Sequence, residues 1–545
     1  MLEGENLHLP EPCSEINTSI PSMRTPCDEA LIRPVGPEAP CAEAARAWIL
    51  TATILGSSMA FIDSTVVNVA LPAIQASFHG TVGDVQWVVE SYGLFLGAWI
   101  LVGGSLGDLF GRRLMFLLGV VIFAMSSLAC GLASTMQQLI IARSIQGLGA
   151  ALLVPGSLTI ISASFEEKNR GQAIGTWSGF TAITAAIGPV LGGWLVEHAS
   201  WRWAFFINVP VAAAVVAIAL WRVPESRGKV AGRIDWWGAT FASLGLGGLV
   251  YGFIESVSLG WINPLVFGSV LAGSACLVAF AFVEAGASSP MVPLMLFRSP
   301  SFSGANLLTL LLYSAIGIFF FLLPLNLIQV QGYSATAAGG ALLPLILLMF
   351  CLSRWAGELV DRYGARLPLT VGPLSAALGF VLFALPSVGD RYWTSFFPAL
   401  VILGLGMTVT VAPLTTVVMN SVDQDRVGAA SGINNAVARI AGVLAIAVLG
   451  IAMVKAFTSH LDHSLAQLPL PDDTLRELHA GEVKLAGLQV PTSLNPGIRT
   501  SVKEAIEAAF VFGFRIVMFL CAALAVASAA VARLMIPNSL PKRAG

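Results

Sequence analysis

Along the chain, apolar residues fall into long blocks separated by short polar punctuation. A helix needs about 20 mostly apolar residues to cross a bilayer. Fourteen blocks reach that length: about 48–74, 85–106, 114–133, 138–162, 172–196, 203–222, 236–255, 264–284, 303–328, 336–359, 366–388, 395–420, 428–453 and 508–533. Backbone polar groups in lipid must be satisfied within the segment, so these blocks read as helices. Ten-residue stretches of strict alternation, the mark of a membrane barrel, are missing. Composition agrees: 56% of the 545 residues are apolar and only 11% charged, against about 25% charged in a soluble domain. The expected class is an all-α integral membrane protein with fourteen transmembrane helices.

The polar punctuation repeats. Gly104-Ser-Leu-Gly-Asp-Leu-Phe-Gly-Arg-Arg113 follows the second block, and Gly357-Glu-Leu-Val-Asp-Arg-Tyr-Gly-Ala-Arg366 follows the tenth. Gly104, Asp108, Gly111 and Arg113 recur as Gly357, Asp361, Gly364 and Arg366, with Arg112 and Arg362 as further basic residues. Internal repeats of this kind mark many secondary transporters. The chain therefore divides into a polar tail (1–46), a first six-helix bundle (47–222) and a linker with an inserted two-helix hairpin (223–301). A second six-helix bundle (302–534) and a short tail (535–545) follow. The second bundle includes a long loop, 454–507, whose Pro469, Pro471, Pro491 and Pro496 argue against one continuous helix.

Charge sets the orientation. With the amino terminus inside, the inner segments carry eighteen Lys/Arg, and the short outer loops carry Arg202 and Arg391. The positive-inside rule then puts both termini in the cytoplasm and the protein in the cytoplasmic (inner) membrane, with 454–507 outside. The amino-terminal tail is Pro-rich and polar and reads as disordered; it lacks the pattern of a secretory signal. The net charge of −2 points to no partner, nucleic acid included. Seven scattered cysteines with no CxxC or Cys/His pairing are expected as free thiols, with neither disulfides nor a metal site. No cofactor is expected.

Against this apolar background a few residues carry candidate chemistry. Asp63 lies deep in the first block, where a carboxylate costs about 2.5–3.5 kcal/mol. Such an acid marks a proton or ion path, or bonds a neighbouring helix. At about 1.5 Å per residue, Asp63, Glu90 and Arg143 come to one level in the outer part of the first half. A polar Asp63–Glu90–Arg143 layer is expected there, in which proton arrival releases Arg143 or a cationic substrate. Arg143 begins a small-residue string through Gln146, Gly147 and Gly149 that allows close helix approach. In the fifth block, Gly179 precedes Gly188-Pro189-Val-Leu-Gly192-Gly193. Mid-helix proline bends a helix, and glycines on one side let another helix press against the bend. Trp87, Tyr92, Trp177, Phe180 and Tyr313 are aromatic candidates for a central cavity, by stacking on a flat or cationic ligand or as packing. Asn434 and Asn435 are polar candidates in the second half.

These motifs together resemble the major facilitator superfamily, and within it the fourteen-helix drug:proton antiporters of the EmrB/QacA type. Residues 104–113 are similar to its cytoplasmic loop motif. Arg143, Gln146, Gly147 and Gly149 are similar to a fourth-helix motif linked in the family to proton movement. Gly179, Gly188, Pro189, Gly192 and Gly193 are similar to the fifth-helix antiporter motif. Residues 63–72 and Trp201-Arg-Trp-Ala-Phe-Phe-Ile-Asn-Val-Pro210 also fit the fourteen-helix group, and the resemblance spans about 48–534. It implies export of amphipathic compounds driven by inward proton flow, two halves rocking about a central cavity. Asp108 and Arg112, with Asp361 and Arg362, would belong to a cytoplasmic latch. Some family members work with periplasmic adaptors, which makes 454–507 a candidate docking surface. Some exporters of dications in the family carry extra acids deep in the second half. Here Glu358, Asp361 and Asp390 lie at helix ends or in loops, and Arg439 accompanies the two asparagines.

Two other readings stand beside broad drug export: a dedicated exporter of one endogenous metabolite, and a non-transporting membrane sensor, which would need neither Asp63, Arg143 nor both hairpins. An ATP-driven pump would need a phosphate-binding loop, and no GxxxxGK[ST] occurs. An enzyme would need a nucleophile–His–acid set, and the six histidines fall in the tail or outer loops.

Overall fold

The structure, a computed structural model, describes residues 43–165, 167–227, 235–287, 290–422, 427–491 and 494–538. Residues 1–42 of the expected amino-terminal tail and 539–545 of the carboxy-terminal one lie outside the described residues. The first half comprises α1 (Glu43–Phe78), α2 (Val82–Phe110), α3 (Arg112–Leu132), α4 (Met136–Ser164) and α5 (Glu167–His198). Its sixth crossing is shared by α6 (Trp203–Phe206) and α7 (Asn208–Arg222). The inserted hairpin is α8 (Trp236–Leu259) and α9 (Pro264–Gly286). The second half holds α10 (Pro300–Leu325), which ends in a π-helical turn at Asn326–Val330, then α11 (Ala335–Ala341) and α12 (Leu343–Tyr363) sharing one crossing. It continues with α13 (Arg366–Phe383), α14 (Tyr392–Asn420), α15 (Val427–Leu465), the cap helix α16 (Asp472–Gly481) and α17 (Pro496–Met535). Fourteen of the described helical segments are long and apolar enough to span a bilayer. Within 454–507 the chain forms the short helix α16, followed by a 3₁₀ turn at Glu482–Gly487.

Two helices run well past their apolar blocks. α15 and α17 have 39 and 40 residues, or about 60 Å at 1.5 Å per residue, twice a hydrocarbon core about 30 Å thick. Hydropathy marks only the part of a helix that sits in lipid, so the polar extensions escaped the sequence reading.

The repeat is structural as well as sequential. In the first hairpin, Gly111 adopts φ +123°, and a Cβ there would strike the Glu225 carboxylate at 2.8 Å. In the second, Gly364 adopts φ +75° beside the Asn538 carbonyl. Arg113 donates from Nη1 to the Val223 carbonyl (3.1 Å), and Arg366 from Nε to the Ile536 carbonyl (2.8 Å). Each half thus ties its charged hairpin to the residue following its own last helix. In the first half Glu225 also accepts from the backbone N–H groups of Arg113 and Leu114, an anion placed on the unpaired donors of the α3 amino terminus.

The hairpin α8–α9 covers the seam between the halves. Val250 and Ile254 of α8 pack with Val443 and Ala447 of α15 and with Trp87 of α2. Trp87 donates to Glu255 (3.4 Å) and Trp99 to Ser243 (2.8 Å). The insertion therefore braces the two bundles from one side instead of adding a third bundle.

Candidate functional site

Asp63 is fully buried inside the first half. Its Oδ2 accepts from Arg143 Nη1 at 2.5 Å, and its Oδ1 accepts from Gln146 Nε2 at 2.9 Å and Asn208 Nδ2 at 3.3 Å. Arg143, 1% exposed, also donates to Gln146 Oε1 (2.8 Å) and from Nε to the Val88 carbonyl (3.1 Å). Its guanidinium lies 4.3 Å from the Tyr92 ring centroid and 5.8 Å from that of Phe205. A buried ion pair endures only when geometry and further hydrogen bonds offset desolvation. Here four helices supply those bonds: α1, α2, α4 and α7.

The fourth-helix glycines make this close packing possible. A Cβ on Gly147 would meet the Tyr92 carbonyl oxygen at 2.5 Å, and one on Gly149 the Phe123 nitrogen at 2.6 Å. α4 therefore lies directly against α2 and α3, and Arg143 is held at the level of Asp63. Asn208 escaped the sequence reading as a site residue. It donates to Asp63 and to Ser127 Oγ (2.9 Å). The available signal was an amide standing in the apolar run Phe-Phe-Ile-Asn208-Val.

Glu90 does not join this layer. It is fully buried, and neither carboxyl oxygen has a hydrogen-bond partner. The reason is helical phase. Gln86, Glu90, Gly93 and Gly97 share one stripe of α2, and that stripe faces α15. Gln86 donates to the Ile446 carbonyl (3.3 Å), and a Cβ on Gly93 or Gly97 would touch Val443 or Ile440. Glu90 thus sits in the contact between the halves, while Arg143 is engaged on the other side of α2.

The aromatic and amide candidates are divided. Tyr92 packs on Arg143, Trp87 faces the inserted hairpin, and Trp177 donates to Ser57 (3.1 Å), which donates to Ser157 (2.8 Å). These three rings each have a protein partner. Phe180 is 52% exposed, and no atom lies within 4 Å of a Cβ built on neighbouring Gly179. Tyr313 packs against the second-half core. Asn434 donates to Thr309 (2.7 Å) and Asn306 (3.2 Å) of α10, whereas Asn435 is exposed and bonds only its own helix.

The fifth-helix motif acts at one end of the molecule. A Cβ on Gly188 or Gly192 would run into Thr65 or Val66 of α1. One on Gly193 would enter the backbone of Ala335, and one on Gly339 the Pro189 carbonyl. Glu197 accepts from the Thr336 N–H (3.2 Å), and Gln329 donates to Gln75 (2.9 Å). These ties lie on the face opposite the amino terminus. On the amino-terminal face, Asp108 pairs with Arg112 (2.8 Å) and Arg362 with Glu358 (3.4 Å). Each of these pairs stays within its own half. The Asp361 side chain lies outside the described residues. Gly175, Gly179 and Gly357 border open space. The halves are tied together on the opposite face, and among the described residues the ion pairs named on the amino-terminal face stay within one half.

Two related six-helix bundles, closed against each other at one end, define a polytopic membrane transporter of the alternating-access class. The chain belongs to the Major Facilitator Superfamily, whose sequence profile matches residues 53–446. It is 36% identical over 437 residues to the multidrug resistance protein Stp of Mycobacterium tuberculosis, covering 79% of this chain and 80% of that one. It is 33% identical over 493 residues to the tetracenomycin C resistance and export protein of Streptomyces glaucescens, covering 89% and 91%. Among solved structures, a bacterial homologue of the human lysosomal transporter Spinster, inward-facing and unoccupied, superposes with a TM-score of 0.60 at 18% identity. That match covers 90% of this chain and 98% of the other. The inward-open xylose transporter XylE from E. coli gives 0.54 at 14% identity, covering 91% and 98%. Fourteen spans and this family make it a multi-pass inner-membrane protein.

Proposed function

We propose that the protein is a proton-coupled antiporter that exports amphipathic drugs or toxic compounds across the cytoplasmic membrane. The observation that carries this reading is the Asp63–Arg143 pair, buried between α1 and α4 and held by Gln146 and Asn208. Protonating Asp63 removes the charge that Arg143 faces. The guanidinium then rests on Gln146, the Val88 carbonyl and the Tyr92 ring, and the packing of α1 against α4 changes with it. The drug-resistance relatives supply the substrate class. On the positive-inside reading the amino-terminal face is cytoplasmic, and that face would admit substrate in this state. In the opposite state Asp108, Arg112 and Arg362 would form the latch, and α16 with its 3₁₀ turn would be the surface offered to a periplasmic adaptor. A single-metabolite exporter is the second reading, favoured by a relative named for one compound.

Everted membrane vesicles test both. Each member of a panel of cationic and neutral amphiphiles is added to vesicles holding a pH gradient. Dissipation by several unrelated compounds supports a broad exporter, and dissipation by one alone supports the dedicated reading. No response to any compound favours the non-transporting sensor reading.

Glu90 has its own expected behaviour. An unpartnered buried carboxylate is costly, and Glu90 has no partner for a charge where α2 meets α15. Glu90→Gln keeps the neutral shape and removes the option to ionise. The variant is expected to melt a few degrees higher than wild type in a thiol-probe thermal assay at alkaline pH. An unchanged or lower melting temperature would show that Glu90 is paired in solution.

A further inference from the structure

We propose that the extracytoplasmic cap carries a binding site for a divalent transition-metal ion of the zinc class, formed by Asp462, His479 and Glu482. The three residues come from three elements: the polar end of α15, the last turn of α16 and the start of the 3₁₀ turn. One ligand atom from each lies within 4.8 Å of the others. His479 Nε2 is 3.3 Å from Asp462 Oδ1 and 3.8 Å from Glu482 Oε1. Ligand bonds of about 2.0–2.2 Å in a tetrahedral site give edges of about 3.3–3.6 Å, so the preformed spacing needs little adjustment.

A second observation points to a ligand. The Glu482 side chain is only 12% exposed, and its Oε1, turned toward His479, is buried with no hydrogen-bond partner. An orphaned acceptor of this kind costs free energy unless something satisfies it. One imidazole and two carboxylates suit zinc-class ions, whereas calcium and magnesium take all-oxygen sites. Asp462 and His479 are each half exposed, which leaves an entry path and a position for water.

The site has a mechanical consequence. Two residues beyond Glu482, the Lys484 carbonyl accepts from Gln75 Nε2 of α1 (3.1 Å), and a Cβ on Gly487 would press on the same Gln75. The 3₁₀ turn is thus a strap from the second half onto the first at the sealed face. An ion clamping Glu482 to α15 and α16 stiffens that strap, favours the sealed state and slows the cycle. Metal binding itself is independent of the drug and proton assignments above.

The test uses the full-length protein in nanodiscs, its affinity tag removed, with ZnCl₂ as the titrant and Co²⁺ as a spectroscopic probe. Wild type is expected to bind one equivalent of Zn²⁺, to give the visible absorption of four-coordinate Co²⁺, and to melt at a higher temperature with Zn²⁺ than with chelator. His479→Ala and Glu482→Gln are expected to weaken Zn²⁺ binding by about tenfold or more and to abolish the melting shift. His463→Ala, which alters a neighbouring exposed histidine bonded to Gln467, should leave both unchanged. Size exclusion verifies that each variant is folded. Absence of saturable Zn²⁺ binding to wild type, or equal binding by His479→Ala, would overturn the site. Loss of binding in His463→Ala alone would assign the ion elsewhere.

Discussion

Asp63→Asn is expected to reduce proton-driven efflux to background while leaving a folded, membrane-inserted protein. The asymmetry follows from the contacts. Asparagine keeps the shape and an acceptor oxygen, and Arg143 retains Gln146, the Val88 carbonyl and the faces of Tyr92 and Phe205. What disappears is the acidic group that faces Arg143, and arginine cannot take its place as a proton carrier. Arg143→Ala should behave differently. It strands a buried carboxylate, a loss of about 3–5 kcal/mol, and its first symptom is reduced melting temperature and yield. Gradient dissipation in everted vesicles reads transport, and drug exchange without a gradient reads substrate passage. For Asp63→Asn the expected pair is no coupled efflux with exchange retained. Full coupled efflux in this variant would remove Asp63 from the mechanism.

Gly339→Val is expected to hold the two halves apart on the face opposite the amino terminus. The added side chain would meet the Pro189 carbonyl and the Val190 nitrogen, which are backbone atoms of a kinked helix and cannot rotate away. Overpacking of this kind costs about 1–3 kcal/mol, and every 1.4 kcal/mol is about tenfold in population. Because the clash exists only when α11 lies on α5, the cost falls on the sealed state alone. Ala338, 1% exposed, reports on it. A cysteine placed there should react with an impermeant thiol reagent from outside about tenfold or more faster in the Gly339→Val background, with transport reduced to match. Equal labelling and equal transport would show that α5 and α11 do not form the seal. Gly179→Val, where open space surrounds the added atoms, is the matched control and should label as wild type.

These two outcomes separate what the amino-acid order encodes from what folding adds. Asp63 and Arg143 were legible as partners because a helix rises by a fixed step, so counting residues from two helix ends placed them at one depth. The same count placed Glu90 at that depth and could not say which way it points. Depth depends on rise, but direction depends on how α2 is rotated against its neighbours, and packing sets that rotation. Trp87 and Trp177 read as candidate cavity residues for the same reason; an aromatic on a membrane helix has the same sequence signal whether it faces a ligand, a lipid or another helix.

The sequence by itself determined the fourteen spans and the twofold repeat of the charged hairpin. Each depends on local composition or on fixed helical geometry, and lipid leaves the backbone no alternative to helices. Only the tertiary structure decided that Asn208 completes the Asp63 cage and that Glu90 lies in the seam with α15. It alone decided that the fifth-helix glycines close one face, and that Asp462, His479 and Glu482 converge on the cap. Each of these depends on rotation of a helix about its axis or on contact between segments distant in the chain, and residue spacing carries no information about either.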